Sequence, residues 1–404
     1  MTAPRRAWLL APLLMLWLLL AAGPAAAAVD EHGPAPRIGV VTMQPGTVFF
    51  ERFGHDALVV APAGGGPLLS YNFGFFDPSE TDFIGNFVRG RMMYYLVALP
   101  LDEDLAGYRD AGRGAGLQWL DLPPAQARAL ADDLAERARP ENARYRYDYF
   151  TANCSTMVRD ALDRAMDGGL RSQLSGRSRG NTYRSEAVRL ASPAPWMWLG
   201  FDLGLGPWAD QPLSRWQEAF VPMRLADSLR EVRNSEGRPL VQAEQALLPQ
   251  RLPAEPGERA RADWPWLLTG LVLAALLWAA RGRRRVLGGF ALPFWLFCGV
   301  AGLLLAYLWG LSEHRAAWAN RNLLLLNPLA LLLLPGAWQL LRGRRPGRLF
   351  AWAAWTVAGI ATLALPLHWL SLQAQTNAQW IMLLLPVHLA LALALGRAPA
   401  PARP

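Results

Sequence analysis

Tyr145-Arg146-Tyr147-Asp148-Tyr149-Phe150-Thr151-Ala152-Asn153-Cys154-Ser155-Thr156-Met157-Val158-Arg159-Asp160 carries one of the two cysteines in this chain. The tyrosines and phenylalanine before Cys154 suit a strand or extended segment. After it, Val158, Ala161, Leu162, Ala165 and Met166 recur at helical spacing. Asn153 or Thr151 can cap that helix, and Gly168-Gly169 can end it. Cys154 is thereby expected in the first helical turn, where free backbone N–H groups and the helix dipole favour a thiolate. That is a nucleophile's position. A free cysteine is also a common small core residue, so the stretch alone leaves both readings open.

The flanking composition bears on this choice. Arg5-Arg6, an apolar run from Ala7 to Ala22, and Ala25 to Ala28 read as a secretory signal peptide over residues 1–28. From Trp264 onward come five apolar runs, roughly Trp264–Ala280, Val286–Leu311, Leu323–Leu341, Leu349–Leu372 and Trp380–Leu395. Each is about long enough to cross ~30 Å of hydrocarbon. Arginines cluster after the first run, between the third and fourth, and after the fifth. The positive-inside rule then places residues 29–263 outside the cytoplasm and the C-terminus inside. The expected organisation is a periplasmic domain over 29–246, a Pro- and Ala-rich linker over 247–263, and a membrane domain over 264–404. The chain should sit in a bacterial inner membrane.

The formal net charge of +8 conceals a split. Residues 29–263 hold 26 arginines against 31 acidic residues, a net −5, whereas residues 264–404 hold 12 arginines and one glutamate. The basic balance is a topology signal and excludes a nucleic-acid footprint. Export also sharpens the reading of Cys154. Its only possible partner, Cys298, lies inside the second apolar run. An unpaired thiol in an oxidising compartment is best read as reactive.

Upstream, Phe49-Phe50-Glu51-Arg52-Phe53-Gly54-His55 reads as a turn or short helix that delivers His55 to a strand start. Pro62 to Pro67 forms a hairpin loop, and Leu68 to Phe76 returns. A loop centred near Gly64–Gly65 sets position 55 opposite about 74, so Asn72 falls close to His55 across the hairpin. An amide there can hold the imidazole in one tautomer, although a polar residue near a turn needs no such role. Asn86 to Leu99 reads as a strand or edge, Asp102 to Arg109 as a helix start, and Leu122-Pro123-Pro124 as the opening of a helix through Ala138, with Ala127, Leu130, Leu134 and Ala138 on one face. Arg171 to Asn181 reads as a mobile loop. The Trp and Phe residues between 195 and 220 read first as core, and second as an acyl channel or interfacial patch.

His32, near the exported N-terminus, and His55 are the only histidines between 29 and 263. One Cys and one ordered His do not make an ordinary zinc site, so neither metal nor cofactor is expected. They do make the minimum for thiol acyl chemistry, with His55 as base and helix amides serving the oxyanion. The order, His before Cys, reverses that of papain-like enzymes. An α+β, circularly permuted papain-like (NlpC-like) fold suits it. In that fold, as in lecithin:retinol acyltransferase, His lies on a strand and an Asn-Cys pair starts a helix.

Several segments resemble the Lnb-type lipoprotein N-acyltransferases: Glu51 to His55, Tyr71-Asn72-Phe73-Gly74, Gly90-Arg91 through Tyr94-Tyr95-Leu96, and Tyr149 to Thr156. Thr182-Tyr183-Arg184, Leu203-Gly204-Leu205-Gly206, and Asn322-Leu323-Leu324 with Asn327-Pro328 are also similar. The resemblance implies transfer of an acyl chain from a phospholipid donor to the α-amine of a diacylglyceryl lipoprotein acceptor, with His55 and Cys154 in catalysis. Asn72 comes from the hairpin reading alone. Two competing readings are a periplasmic cysteine peptidase or amidase acting on the cell wall, and a non-catalytic envelope assembly or transport module.

Overall fold

The computed structural model describes residues 34–258, 262–370 and 374–395. The signal-peptide segment and His32 lie outside them. β1 (Arg37–Met43) is apolar on both faces: Ile38 and Val40 point one way, Val41 and Met43 the other, and all are buried. Such a strand must lie inside a sheet covered on both sides. It is followed by β2 (His55–Ala61), β3 (Leu69–Phe75), α1 (Phe83–Arg89), β4 (Met93–Pro100), α2 (Leu101–Asp110), β5 (Ala115–Leu120), α3 (Pro124–Arg137) and β6 (Arg144–Arg146). Then come α4 (Cys154–Ala165), α5 (Gly169–Leu174), α6 (Tyr183–Ala191), α7 (Pro195–Gly204), α8 (Pro222–Leu229) and β7 (Val241–Leu248).

The seven strands form one antiparallel sheet in the order β6-β4-β3-β2-β1-β5-β7. On one face, Ile38, Val40, Leu58 and Phe73 pack with Leu130 and Leu134 of α3, Val158 and Leu162 of α4, and Leu225 and Leu229 of α8. On the other, Val41, Met43, Val59 and Leu117 pack with Leu101 and Leu105 of α2. Truncating a fully buried leucine such as Leu134 to Ala costs about 2–5 kcal/mol.

The stretch from Asn86 to Leu99 is not one strand. Gly90, at φ +74, ends α1, and β4 begins three residues later. The segment from Arg171 to Asn181 is more ordered than its composition suggests. Its start belongs to α5, and Ser178 donates to Leu213 O at 2.6 Å. Residues 247–263 do not begin as free linker, because β7 runs to Leu248. Further on, Arg189 and Arg224 pair with Glu255 and Glu258.

The helical region holds α9 (Trp264–Ala279), α10 (Arg284–Gly310), α11 (Leu334–Leu341), α12 (Arg348–Thr362), α13 (Ala364–Leu370) and α14 (Ala378–Leu395). Among the described residues, four segments are long and apolar enough to cross a membrane: Arg284–Gly310, Arg321–Leu341, Arg348–Trp369 and Ala378–Leu395. The first of the five expected spans, α9, has only 16 residues. At 1.5 Å per residue it falls short of ~30 Å. The 321–341 segment starts as 3₁₀ turns, with Asn327 capping Leu329 N–H ahead of Pro328, and becomes α-helical only at Leu334. Small residues set the close approaches. A Cβ at Gly270 would meet the Met382 carbonyl, and one at Gly302 the Leu326 carbonyl.

The aromatic stretch after Pro195 divides its residues. Phe201 and Trp208 join Phe150, Tyr183 and Phe220 in a small core of the sheet domain. Leu199 and Leu203 pack instead against the helical bundle. The end of α7 is pinned by amides. Asn320 Nδ2 donates to Leu203 O at 2.7 Å and Leu205 O at 3.1 Å, and Asn322 Nδ2 to Leu203 O at 3.0 Å. Gln379 Nε2 and Trp380 Nε1 both donate to Asp202 Oδ2. Buried polar groups so fully matched fix one arrangement of the two regions.

Candidate active site

Asn153 is the N-cap of α4. Its side chain accepts from Thr156 N–H at 2.9 Å, Thr156 Oγ1 accepts from Asn153 N–H at 2.8 Å, and Asn153 Nδ2 donates to Tyr149 O and Phe220 O. The asparagine of the Asn-Cys pair is thus wholly engaged in building the helix start. It sets Cys154, half-buried, at the first helical position. α4 packs on β2 and β3.

β2 and β3 pair Leu58 with Tyr71, Val59 with Ser70 and Val60 with Leu69. Continuing that register brings His55 level with Gly74, as the hairpin count anticipates. A Cβ at Gly74 would lie 3.8 Å from Cys154 Cβ and 4.0 Å from Tyr145 Oη, and the residue's φ of +108 suits only glycine. Gly74 therefore lies against both Cys154 and Tyr145, held there by a backbone conformation that side chains rarely adopt.

Asn72 reaches His55, its Oδ1 lying 3.0 Å from Nε2. The other end of the amide fixes which atom is which. Asn72 Nδ2 donates to Asp104 Oδ2 at 2.9 Å and Ser70 Oγ at 3.0 Å, and Ser70 Oγ donates to the same Asp104 oxygen at 2.6 Å. A carboxylate oxygen only accepts, so the amide nitrogen must face Asp104 and the amide oxygen must face His55. His55 Nε2 then carries the proton, and Nδ1 of the neutral ring is free to accept one.

Burial holds the His55 pKa below its ordinary value, outweighing the Asn72 hydrogen bond and the nearby Asp104 and Asp56 carboxyls, with the Arg113 cation acting in the same direction as burial. The Cys154 thiol is pushed up to about 12, chiefly by burial and then by Asp56. The backbone amides of Asp56, Ser155 and Cys154 favour the thiolate but do not overcome this. The expectation from the helix start alone, a resting thiolate, is therefore corrected. Both shifts favour the neutral forms, a thiol on Cys154 and an unprotonated ring on His55, and the amides count once charge develops.

Asp56 is fully buried and ties three elements together. Thr42 Oγ1 donates to its Oδ1 at 2.6 Å, and Ser155 Oγ lies 2.7 Å from its Oδ2 and also 2.7 Å from Ala219 O. One hydroxyl proton cannot serve two acceptors. If it goes to the carbonyl, Asp56 must bring the other. Its pKa, raised to about 6 by burial, agrees.

Tyr145 Oη is buried and has no hydrogen-bond partner among the described residues. Burial and the neighbouring Cys154 hold its pKa well above the ordinary phenol value, so it remains a hydroxyl donor. Its hydroxyl is thus a donor placed against the same glycine as Cys154. The sequence points to His55, Cys154 and Asn72; the fold seats Asn72 against His55 and sets the Cys154 thiol at the backbone amide of Asp56, the residue after His55. Asp104 and Tyr145 are missed by that reading. Asp104 sits among Asp102 and Glu103 in the first turn of α2 and looks like a dipole-compensating surface acid. Tyr145 looks like strand material.

Residues 34–188 match the family described as the Lnb N-terminal periplasmic domain, and residues 263–398 match the Lnb transmembrane domain. The chain belongs to the Lnb family. It is therefore a multi-pass membrane protein of the Lnb type, with a periplasmic domain of mixed α/β structure ahead of its membrane helices. No curated protein and no solved structure matches the chain.

Proposed function

We propose that this Lnb-type protein is a thiol acyltransferase of the inner membrane. In this reading it moves an acyl chain from phospholipid to the N-terminal amine of a diacylglyceryl lipoprotein through a thioester on Cys154. The observation that carries the reading is the fixed line Asp104–Asn72–His55, which leaves Nδ1 as the base on the residue just before Asp56, whose backbone amide meets the Cys154 sulfur. His55 on a strand ahead of Cys154 at a helix start also supports a circularly permuted papain-like frame. The bundle supports a donor and an acceptor that both stay in the membrane.

The steps balance with these groups alone. Nδ1 of His55 takes the Sγ proton as sulfur attacks the ester carbonyl. The oxyanion is met by backbone amides and by the Tyr145 hydroxyl, donors aimed where charge develops. Collapse expels lysophospholipid, whose oxygen takes the proton back from His55. The lipoprotein amine then attacks the thioester, His55 receives its proton, and the thiol is restored on release of the amide. Covalent catalysis of this kind gives ping-pong kinetics.

The test is reconstituted protein given phospholipid and a diacylglyceryl peptide with a free N-terminus. Equal amounts of N-acyl peptide and lysophospholipid support the reading. Free fatty acid alone indicates a lipase, and Cys154-dependent cleavage of muropeptide amides indicates the cell-wall hydrolase.

A further inference from the structure

The sheet domain carries a strip of exposed apolar side chains that its own core does not explain. On α1, Ile84 is 75% exposed, and Phe87 and Val88 are also exposed; beside them lie Phe50, Phe75 and Phe76. The strip is continuous, since Phe76 stacks on Phe83 of α1 at 5.6 Å and meets Phe50 at 6.3 Å. Exposed aromatic and aliphatic groups in such number mark an interaction surface.

What covers it is indicated by where α1 is tied. Its C-terminal end is bonded to the loop that follows α10. Glu313 N–H donates to Arg89 O at 2.8 Å, His314 Nε2 lies 3.0 Å from Phe87 O, and Arg91 and Arg146 both pair with Glu313. Trp309, in the last turn of α10, and Leu311, just past its end, are exposed, Leu311 at 74%. The strip therefore continues the outward apolar surface of a membrane-spanning helix. Arg89, Arg91 and Arg146 lie at this same junction, paired with Asp82 and Glu313, and cationic side chains are favoured at membrane interfaces.

We propose that α1 and its adjoining phenylalanines lie in the periplasmic leaflet of the bilayer and contact lipid acyl chains. A file of rings leads from this strip towards the site. Phe76 meets Tyr94 at 5.3 Å, and Tyr94 stacks on Tyr147 at 4.3 Å. Tyr94 also pairs across the sheet with Tyr145, whose hydroxyl lies with Cys154 against Gly74. On the acyltransferase reading above, and resting on it, this file is the path by which a donor chain reaches Cys154.

The test uses the full chain with Cys154→Ala and Cys298→Ala, carrying one nitroxide at Ile84→Cys, Val88→Cys or Ala63→Cys, in phosphatidylethanolamine–phosphatidylglycerol vesicles. Ala63 lies in the hairpin loop at the other end of β2 and β3. Labels at 84 and 88 are expected to collide more often with oxygen than with an aqueous nickel reagent, and the label at 63 to show the reverse. Water-exposed labels at all three positions overturn the proposal. Depth is read without turnover, so a buried strip in a protein lacking acyl transfer would leave this inference standing and remove only the functional reading. In the native-cysteine chain, Ile84→Asp with Val88→Asp should slow acyl transfer from bilayer phospholipid at least tenfold and spare a water-soluble short-chain ester. Equal loss with both donors overturns the proposed path.

Discussion

Asp104 accepts a hydrogen bond from the Asn72 amide at 2.9 Å, and that contact decides which nitrogen of His55 can act as a base. Without it the amide could turn over and present N–H to the ring, and the useful tautomer would be lost. Asn72 and Asp104 are positioning residues in this account. Asn72→Ala should lower kcat about 10- to 100-fold, part of the ~10²–10⁴ a general base contributes. The Asn72 hydrogen bond raises the His55 pKa, so its removal should move the acid limb of the pH–rate profile to lower pH. Asp104→Asn should lose less, with a similar profile. A rate loss with an unmoved acid limb would mean the asparagine only supports the fold.

Tyr145→Phe separates catalysis from stability. The hydroxyl has no hydrogen-bond partner among the described residues, so its removal should leave Tm unchanged or slightly higher. If it meets the oxyanion, kcat should fall by about 10²-fold or more. Thermal unfolding and initial rates on one preparation check both. Lower stability with normal kcat would contradict the assignment.

Asp56 makes stability depend on pH in an unusual direction for a carboxyl group. Folded, it holds its proton up to about pH 6; unfolded, to about 3.9. Between those values the folded state binds more protons, so stability should fall as pH rises from about 4 to about 6 and then level off. The loss is on the order of 2–3 kcal/mol. Asp56→Asn reproduces the protonated pattern, donating to Ser155 and accepting from Thr42. It should flatten the profile in that window, as read by Tm against pH. An unchanged slope in this variant would remove Asp56 as its cause.

The arginine distribution predicts topology. Reporters fused after Arg285 and Arg348 should behave as cytoplasmic, and those near His314 and Gln375 as periplasmic. A periplasmic signal after Arg348 would contradict five crossings, including the short α9.

Much of the site is legible in sequence because it is local. The Asn-Cys helix start is a capping pattern, and the hairpin glycines count out the register that sets Asn72 against His55. Asp104 is not legible, because no short-range pattern says that α2 will lay its first turn beside β3. The thiol's protonation state is also hidden. The helix start argues for a thiolate, but burial is set by tertiary packing and outweighs it. The break between α1 and β4 turns on Gly90, one residue in a run of otherwise strand-like character. The shortness of α9 and the 3₁₀ start after Arg321 escape a reading that counts apolar residues only.

The most direct measurement of the central claim is the intact mass of the protein after exposure to phospholipid with no amine acceptor. The account predicts one added acyl group, lost on hydroxylamine treatment, absent in Cys154→Ala, and passed to a diacylglyceryl peptide when one is supplied. Transfer to the peptide that persists in Cys154→Ala, or that proceeds with no acyl group ever found on Cys154, would contradict it.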